Sequence, residues 1–204
     1  MVFHNIGWYV AYEEAPISQG DGLIRTERLD RLALRHVDRH SVLSASHRSR
    51  SLQRLDQLLQ ACGGIYFGDS LEAQLAVAGQ APGGASERSR FLSTLRFRCT
   101  PTVFAFLREG LQRFPLNATR LSLPLPADRW WRHPNAPHSL QAIPGSSHPY
   151  PVEIDLPIWT IERDVDLRRW LFGFGDGEVV DAPEALRSEH RDRALKVAQL
   201  YAGS

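Results

Sequence analysis

The stretch that decides the fold is Gly-Trp-Tyr-Val-Ala-Tyr at residues 7–12, followed by Gly-Leu-Ile-Arg-Thr-Glu-Arg-Leu-Asp-Arg-Leu at residues 22–32. Large apolar side chains recur at every second position through Trp8 and Val10, which is typical of a strand with one buried face. The intervening residues are rich in Pro, Ser, Gly and Asp, which favour turns. The pattern predicts a hairpin with a long loop and a second strand from Leu23 to Leu34.

The second strand carries charge on both of its faces. Alternation places Arg25, Glu27 and Arg31 on one face, and it places Ile24 and Arg28 on the other. This mixture is typical of a barrel strand that lines a concave rim, and equally of an edge strand that is protected by charge.

These two segments together resemble the WYL domain, whose pattern is Trp-Tyr-Leu, a loop, and Arg-x-Phe-x-Leu-Asp-Arg-Ile. Val10 stands where that family has leucine, and Glu27 stands where it has an aromatic residue. The resemblance implies that residues 1–68 form the C-terminal part of an Sm/SH3-like barrel with a linking helix. Further strands and a winged helix-turn-helix normally precede the motif, and residues 1–4 leave room for neither. We therefore expect a homodimer or a missing N-terminal DNA-binding domain.

Beyond the hairpin, leucines at positions 52, 55, 58 and 59 predict a helix that is capped by Ser49 or Ser51 and ended by Gly63-Gly64. Residues 65–68 are then expected to form a short strand. Residues 69–93 are interpreted as an insertion or linker, with a helical patch at 71–77 and a loop of small residues at 79–86.

Residues 94–204 predict the element order β-α-β-β-α-β plus a terminal helix, which is the order of a ferredoxin-like domain. Helix starts are indicated at Thr100 and at Asp164 or Asp166, and an irregular excursion containing Trp-Trp at 130–131 is expected over residues 126–149. The sequence Trp-Leu-Phe-Gly-Phe-Gly at 170–175, with Val-Val at 179–180, resembles the C-terminal extension of WYL proteins. The predicted fold class is α+β.

Composition narrows the classes of function. The formal net charge is +1, and 23 of the 24 cationic residues are arginine. The two cysteines fit neither a disulfide framework nor a cysteine zinc site, and the histidines near residue 40 lack a metal-ligand spacing, so no cofactor or metal is expected. Without a disulfide framework or an N-terminal signal pattern, a cytoplasmic protein is expected. No run of residues is long and apolar enough to predict a membrane span.

Catalytic patterns are not evident in the sequence. We find no Gly-x-Ser-x-Gly motif, and the glycines at 173–177 follow a helix, whereas the glycines of a phosphate-binding loop precede one. The chain is therefore predicted not to be an enzyme.

The candidate ligand-binding residues are Arg25, Arg28, Arg31, Tyr9 and Trp8. The resemblance implies that the barrel binds single-stranded nucleic acid or a nucleotide, for which guanidinium groups and aromatic rings are suited. The residues alone favour solvated arginines paired with Glu27 or Asp30, and Trp8 is expected in the core in either case. The expected function is that of a ligand-sensing module of a WYL-type transcriptional regulator, with a context in CRISPR or other antiviral defence. The alternative is a protein-protein interaction or dimerisation module.

Overall fold

The chain forms two compact units, Met1–Phe91 and Leu92–Ser204. The structure is a computed structural model, and it describes residues 1–5, 7–14, 20–33, 44–125 and 137–202. Each unit combines helices with one sheet, which confirms the predicted α+β class. Within the described residues, neither sheet closes into a barrel.

The sheet of the first unit has three antiparallel strands in the order β1-β2-β3. These strands are β1 (Val2–His4), β2 (Gly7–Glu13) and β3 (Ile24–Arg28). The expectation that residues 1–4 hold no strand was wrong, because β1 pairs with the start of β2. The prediction for β3 was too long, because Leu29–Arg31 form a 3-10 turn that is closed by a hydrogen bond from Leu32 N–H to the Leu29 carbonyl.

Helix α1 (Ala45–Cys62) has its N-cap at Ser44, five or seven residues before the predicted caps, and the Ser44 side chain accepts a hydrogen bond from the backbone N–H of His47. It ends at Gly63, which has a φ of 62° and so provides the left-handed C-cap that the sequence indicated. Leu58 is fully buried, whereas Leu52 is 67% exposed.

The predicted strand at residues 65–68 is absent. The carbonyls of Ile65 and Phe67 instead accept hydrogen bonds from the side chains of Thr26 and Gln74. Two short helices follow, α2 (Leu71–Val77) and α3 (Gly84–Arg90). The small-residue loop is therefore shorter than predicted.

The second unit contains five strands and four helices among the described residues. They are β4 (Leu92–Cys99), α4 (Pro101–Gly110), β5 (Thr119–Ser122), β6 (His138–Leu140), β7 (Tyr150–Pro157), α5 (Ile158–Arg163), α6 (Val165–Phe172), β8 (Glu178–Ala182) and α7 (Glu184–Ala202). The sheet order is β6-β5-β7-β4-β8, and every pair is antiparallel except β5 with β6.

The predicted helix starts at Thr100 and Asp164 are confirmed, because both side chains accept hydrogen bonds from backbone N–H groups of the first turn. Two elements were missed. Strand β6 lies in the stretch that was expected to be irregular, of which residues 126–136 with Trp130 and Trp131 lie outside the described residues. The other is helix α5, which follows directly because β7 ends at Pro157.

The core of this unit lies between one face of the sheet and helices α4, α6 and α7. Its buried side chains include Leu95, Phe97 and Ile154 on the strands and Leu167 and Leu186 on the helices. The opposite face carries ion pairs across the strands. Arg120 donates to Glu153 and Asp155, and Arg98 donates to Asp181. Among the described helices, none combines the length and apolar character needed to cross a membrane.

Candidate functional site

The pairing of β2 with β3 decides which candidate side chains share a face. Tyr12 lies directly opposite Arg25, and Tyr9 lies directly opposite Arg28. Opposed residues project from the same side of an antiparallel pair, and successive residues alternate. Trp8 and Arg25 therefore lie on one side, whereas Tyr9 and Arg28 lie on the other. Arg31 lies in the turn beyond β3, so the five candidates do not form one cluster.

One side of this sheet presents Phe3, Trp8 and Tyr12, which we call the aromatic face. These side chains are 58%, 54% and 41% exposed. The rings of Phe3 and Trp8 meet edge to face with centroids 5.2 Å apart. The expectation that Trp8 lies in the core was wrong, because the buried side of the sheet is the opposite one, which carries Ile24.

Arg25 lies at one end of the aromatic face and is held by two carboxylates. Its Nε donates to Glu14 at 2.6 Å, and its Nη1 donates to Asp69 at 2.9 Å. The hydrogen bonds to Asp69 and Glu14 raise the pKa of the Arg25 guanidinium above its ordinary value. Asp69 also accepts a hydrogen bond from the Tyr66 hydroxyl, and it directly precedes Ser70, the N-cap of α2. Arg25 thus links the sheet to the start of that helix.

The other two arginines are also beside acids. Arg28 donates to both carboxylate oxygens of Asp30, at 3.0 and 2.6 Å, and Arg31 lies 3.9 Å from Glu27. Residues 1–91 contain ten arginines and ten acidic residues, so their formal charge is zero. This unit therefore has no general attraction for a polyanion, and any anion must be recognised locally.

A buried polar network lies on the other side of the sheet, and sequence reasoning missed it. The Arg54 side chain is fully buried, and its Nη2 donates to Glu13 at 3.0 Å and to the Gly22 carbonyl at 2.7 Å. Glu13 also accepts hydrogen bonds from Ser51 and the Gly22 N–H, and its Oε2 forms a hydrogen bond with the His47 ring. Burial opposes ionisation of Glu13, but these hydrogen bonds outweigh it and hold its pKa below the ordinary value.

Gln74 forms a second missed contact. Its side-chain amide accepts from the Ile24 N–H at 2.9 Å and donates to the Ile24 carbonyl at 2.8 Å. The amide thus pairs with β3 as a neighbouring strand would. For Arg54, the sequence did contain a signal of burial, because Arg54 lies one helical turn before Leu58 on the buried side of α1.

Three side chains around this network have the types that ligate metals. Ligand atoms of Glu13, Asp21 and His47 lie within 4.8 Å of one another. The set does not fit a divalent cation well, because Glu13 is already hydrogen-bonded by Ser51 and by the buried Arg54 guanidinium. A cation there would lie close to a desolvated positive charge.

The second unit holds a buried thiol and a buried carboxyl side by side. Cys99 is opposite Glu178 in the pairing of β4 with β8. Burial, and secondarily Glu178, raises the pKa of the Cys99 thiol well above its ordinary value, which disfavours the thiolate form. Burial also raises the pKa of Glu178 to about 9.

Comparison of the chain with protein-family models and with curated proteins gave no match.

Proposed function

We propose that the chain is a ligand-sensing module of a WYL-type transcriptional regulator, and that it binds single-stranded nucleic acid or a nucleotide on the aromatic face. The observation that carries the proposal is three exposed aromatic rings on one side of a sheet with Arg25 at their end. Stacking of a base on an aromatic ring contributes about 1–3 kcal/mol. Trp8 and Tyr12 are four residues apart on β2, about 13 Å, which allows separate bases to stack on them.

Arg25 supplies the contact to phosphate in this proposal. Its ion pairs with Glu14 and Asp69 are solvent-exposed, and such pairs contribute only about 0–1 kcal/mol. A phosphate group can therefore replace a carboxylate at little cost, with the bidentate geometry that guanidinium groups favour. Release of Asp69 would alter the link to the start of α2, and this change is the proposed signal to a partner.

The proposal includes the finer fold assignments. The three-stranded sheet is taken as part of an Sm/SH3-like barrel. The N-terminal domain of a regulator, or a second copy of the chain, would supply the remaining strands. The antiparallel order β5-β7-β4-β8 supports a ferredoxin-like C-terminal extension, with β6 as an addition. The module is proposed to be non-catalytic and cytoplasmic, in a regulator of CRISPR or related antiviral defence.

The test is a titration of the chain with a labelled short single-stranded oligonucleotide, followed by fluorescence anisotropy. Trp8→Ala and Arg25→Ala are each expected to weaken binding about tenfold, and binding of the parent chain is expected to weaken as salt is raised. Arg90→Ala is the matched control, because Arg90 is an exposed arginine of the same unit that pairs with Glu87 at 2.8 Å. Its binding is expected to equal that of the parent chain.

Two results would overturn the proposal. One is the absence of binding at low salt, and the other is binding that is equal in all three variants. If binding is absent and Trp8→Ala dissociates a dimer in analytical ultracentrifugation, the aromatic face is an interface and the chain is an interaction module. The same exposed rings favour that second function, because aromatic residues are enriched in protein interfaces.

A further inference from the structure

An open groove in the second unit lies between α7 and strand β8 with the turn that precedes it. Its volume is about 490 Å³, within the usual range for small-molecule sites. Val179, Val180 and Ala194 give it an apolar lining. The His190 ring lies along the groove and is stacked on Phe172, with centroids 4.8 Å apart and planes 7° apart. The groove thus offers an aromatic surface that a neighbouring side chain holds in place.

Two arginines line the same groove from one side of α7. Arg187 and Arg191 are four residues apart, so their side chains follow one another along the helix surface. Each is paired with an exposed acid, Arg187 with Glu184 at 3.1 Å and Arg191 with Asp192 at 3.3 Å. Exposed pairs of this kind exchange readily for a better anion.

Two acidic residues, Asp176 and Glu178, line the groove. Asp176 is an exposed carboxylate at its rim, whereas Glu178 is only 2% exposed. Both carboxyl oxygens of Glu178 lack a hydrogen-bond partner in the described part of the chain. Because burial raises the pKa of Glu178 to about 9, its side chain is neutral at pH 7. The lining residues themselves carry two positive charges and one negative charge, and the acids that pair with the two arginines, Glu184 and Asp192, lie outside the lining. A ligand with one anionic group can therefore take the place of these exposed acids.

We propose that this groove binds a small molecule that has an aromatic body and one anionic group, a carboxylate or a phosphate. The aromatic body lies against His190 and the apolar floor, and the anionic group pairs with Arg187 and Arg191. The groove belongs to the second unit, and the inference stands whether or not the aromatic face of the first unit binds nucleic acid.

Nuclear magnetic resonance of the full ¹⁵N-labelled chain tests the proposal with four probes: phenyl phosphate, benzoate, inorganic phosphate and benzyl alcohol. Phenyl phosphate or benzoate is expected to shift the amide signals of residues 175–180 and 187–194. Inorganic phosphate and benzyl alcohol are each expected to bind at least about tenfold more weakly, because each lacks one half of the recognition. The ratio of the affinities of the first two probes distinguishes a phosphate site from a carboxylate site.

Variants identify the groups that carry the affinity. Arg187→Gln combined with Arg191→Gln is expected to weaken binding of the better probe at least about tenfold. Arg169→Gln is the control, because Arg169 is 77% exposed on α6 and does not line the groove. The inference fails if the shifted signals lie elsewhere, if inorganic phosphate binds as tightly as phenyl phosphate, or if the control weakens binding equally.

Discussion

The carboxylate of Glu13 on β2 lies 3.0 Å from the guanidinium of Arg54 on α1, whose side chain is fully buried. Glu13→Ala would leave that cation desolvated and without its counter-charge. Removal of one partner of a buried pair costs about 3–5 kcal/mol. We expect a loss of that size in the free energy of unfolding of the first unit, measured from hydrogen exchange of its amides in urea. Glu14→Ala, which removes an exposed neighbour, should cost less than about 1 kcal/mol; equal losses would contradict the assignment.

The same carboxylate makes the first unit sensitive to acid. Hydrogen bonds hold the folded-state pKa of Glu13 below its reference value of 4.5, so the stabilisation is present above pH 4.5 and is lost as the pH falls further. The parent chain is expected to lose more unfolding free energy than Glu13→Ala on acidification from pH 6 to pH 3. Urea titrations of both proteins at a series of pH values measure this difference. Parallel pH profiles would show that Glu13 does not carry the effect.

Glu178 has the opposite pH dependence. Its folded-state pKa is raised from 4.5 to about 9, so its contribution favours the folded state below pH 4.5 and is lost as the pH rises towards 9. Glu178→Gln keeps the shape of the side chain without the ionisable group. We expect its gain in unfolding free energy over the parent chain to be about 1–3 kcal/mol larger at pH 8 than at pH 4. Thermal unfolding at the two pH values measures this. The control Glu162→Gln, on an exposed residue of α5, should show no such pH-dependent gain.

Trp8 contributes little to the stability of its unit, because its side chain is 54% exposed. Trp8→Ala is expected to cost less than about 1 kcal/mol of unfolding free energy. Phe67→Ala, at a residue that is 2% exposed, should cost about 3–5 kcal/mol. Urea unfolding followed by hydrogen exchange in residues 1–91 compares the two. A loss at Trp8 as large as that at Phe67 would place Trp8 in a core.

Asp69 competes with any phosphate for Arg25, so its removal should strengthen oligonucleotide binding. Asp69→Asn is expected to bind about two- to fivefold more tightly, corresponding to the energy of an exposed ion pair. Asp56→Asn makes the same change of charge on α1, where Asp56 is bonded to Gln60 and not to Arg25. Its affinity should change less. Equal gains in anisotropy titrations would mean that only net charge matters.

The elements that could be predicted are those specified by neighbouring residues. Thr100 and Asp164 cap their helices through side-chain contacts that span three residues or fewer. The alternation of side chains through Trp8 likewise predicts a strand from neighbouring residues alone. A pattern of period two separates the faces of a strand but does not state which face the rest of the chain covers. The exposure of Trp8 was therefore not predictable from its own segment.

The candidate site was only partly predictable for the same reason. The positions of Arg25 and Arg28 on opposite faces follow from alternation, but the carboxylate of Asp69 reaches Arg25 from 44 residues away. The burial of Arg54 and Gln74 depends on Glu13 and Ile24, which belong to other elements. No local rule pairs residues at such separations.

Gln74 has a consequence for how the N-terminal sheet can grow. Because its amide occupies both backbone hydrogen-bonding groups of Ile24, an incoming strand would have to displace it before joining the β3 side. The backbone of Val2–His4 forms the opposite boundary of the sheet. A partner that extends the sheet by strand addition is therefore directed to the Val2–His4 side, next to Phe3. Such a partner would join the sheet at one edge only.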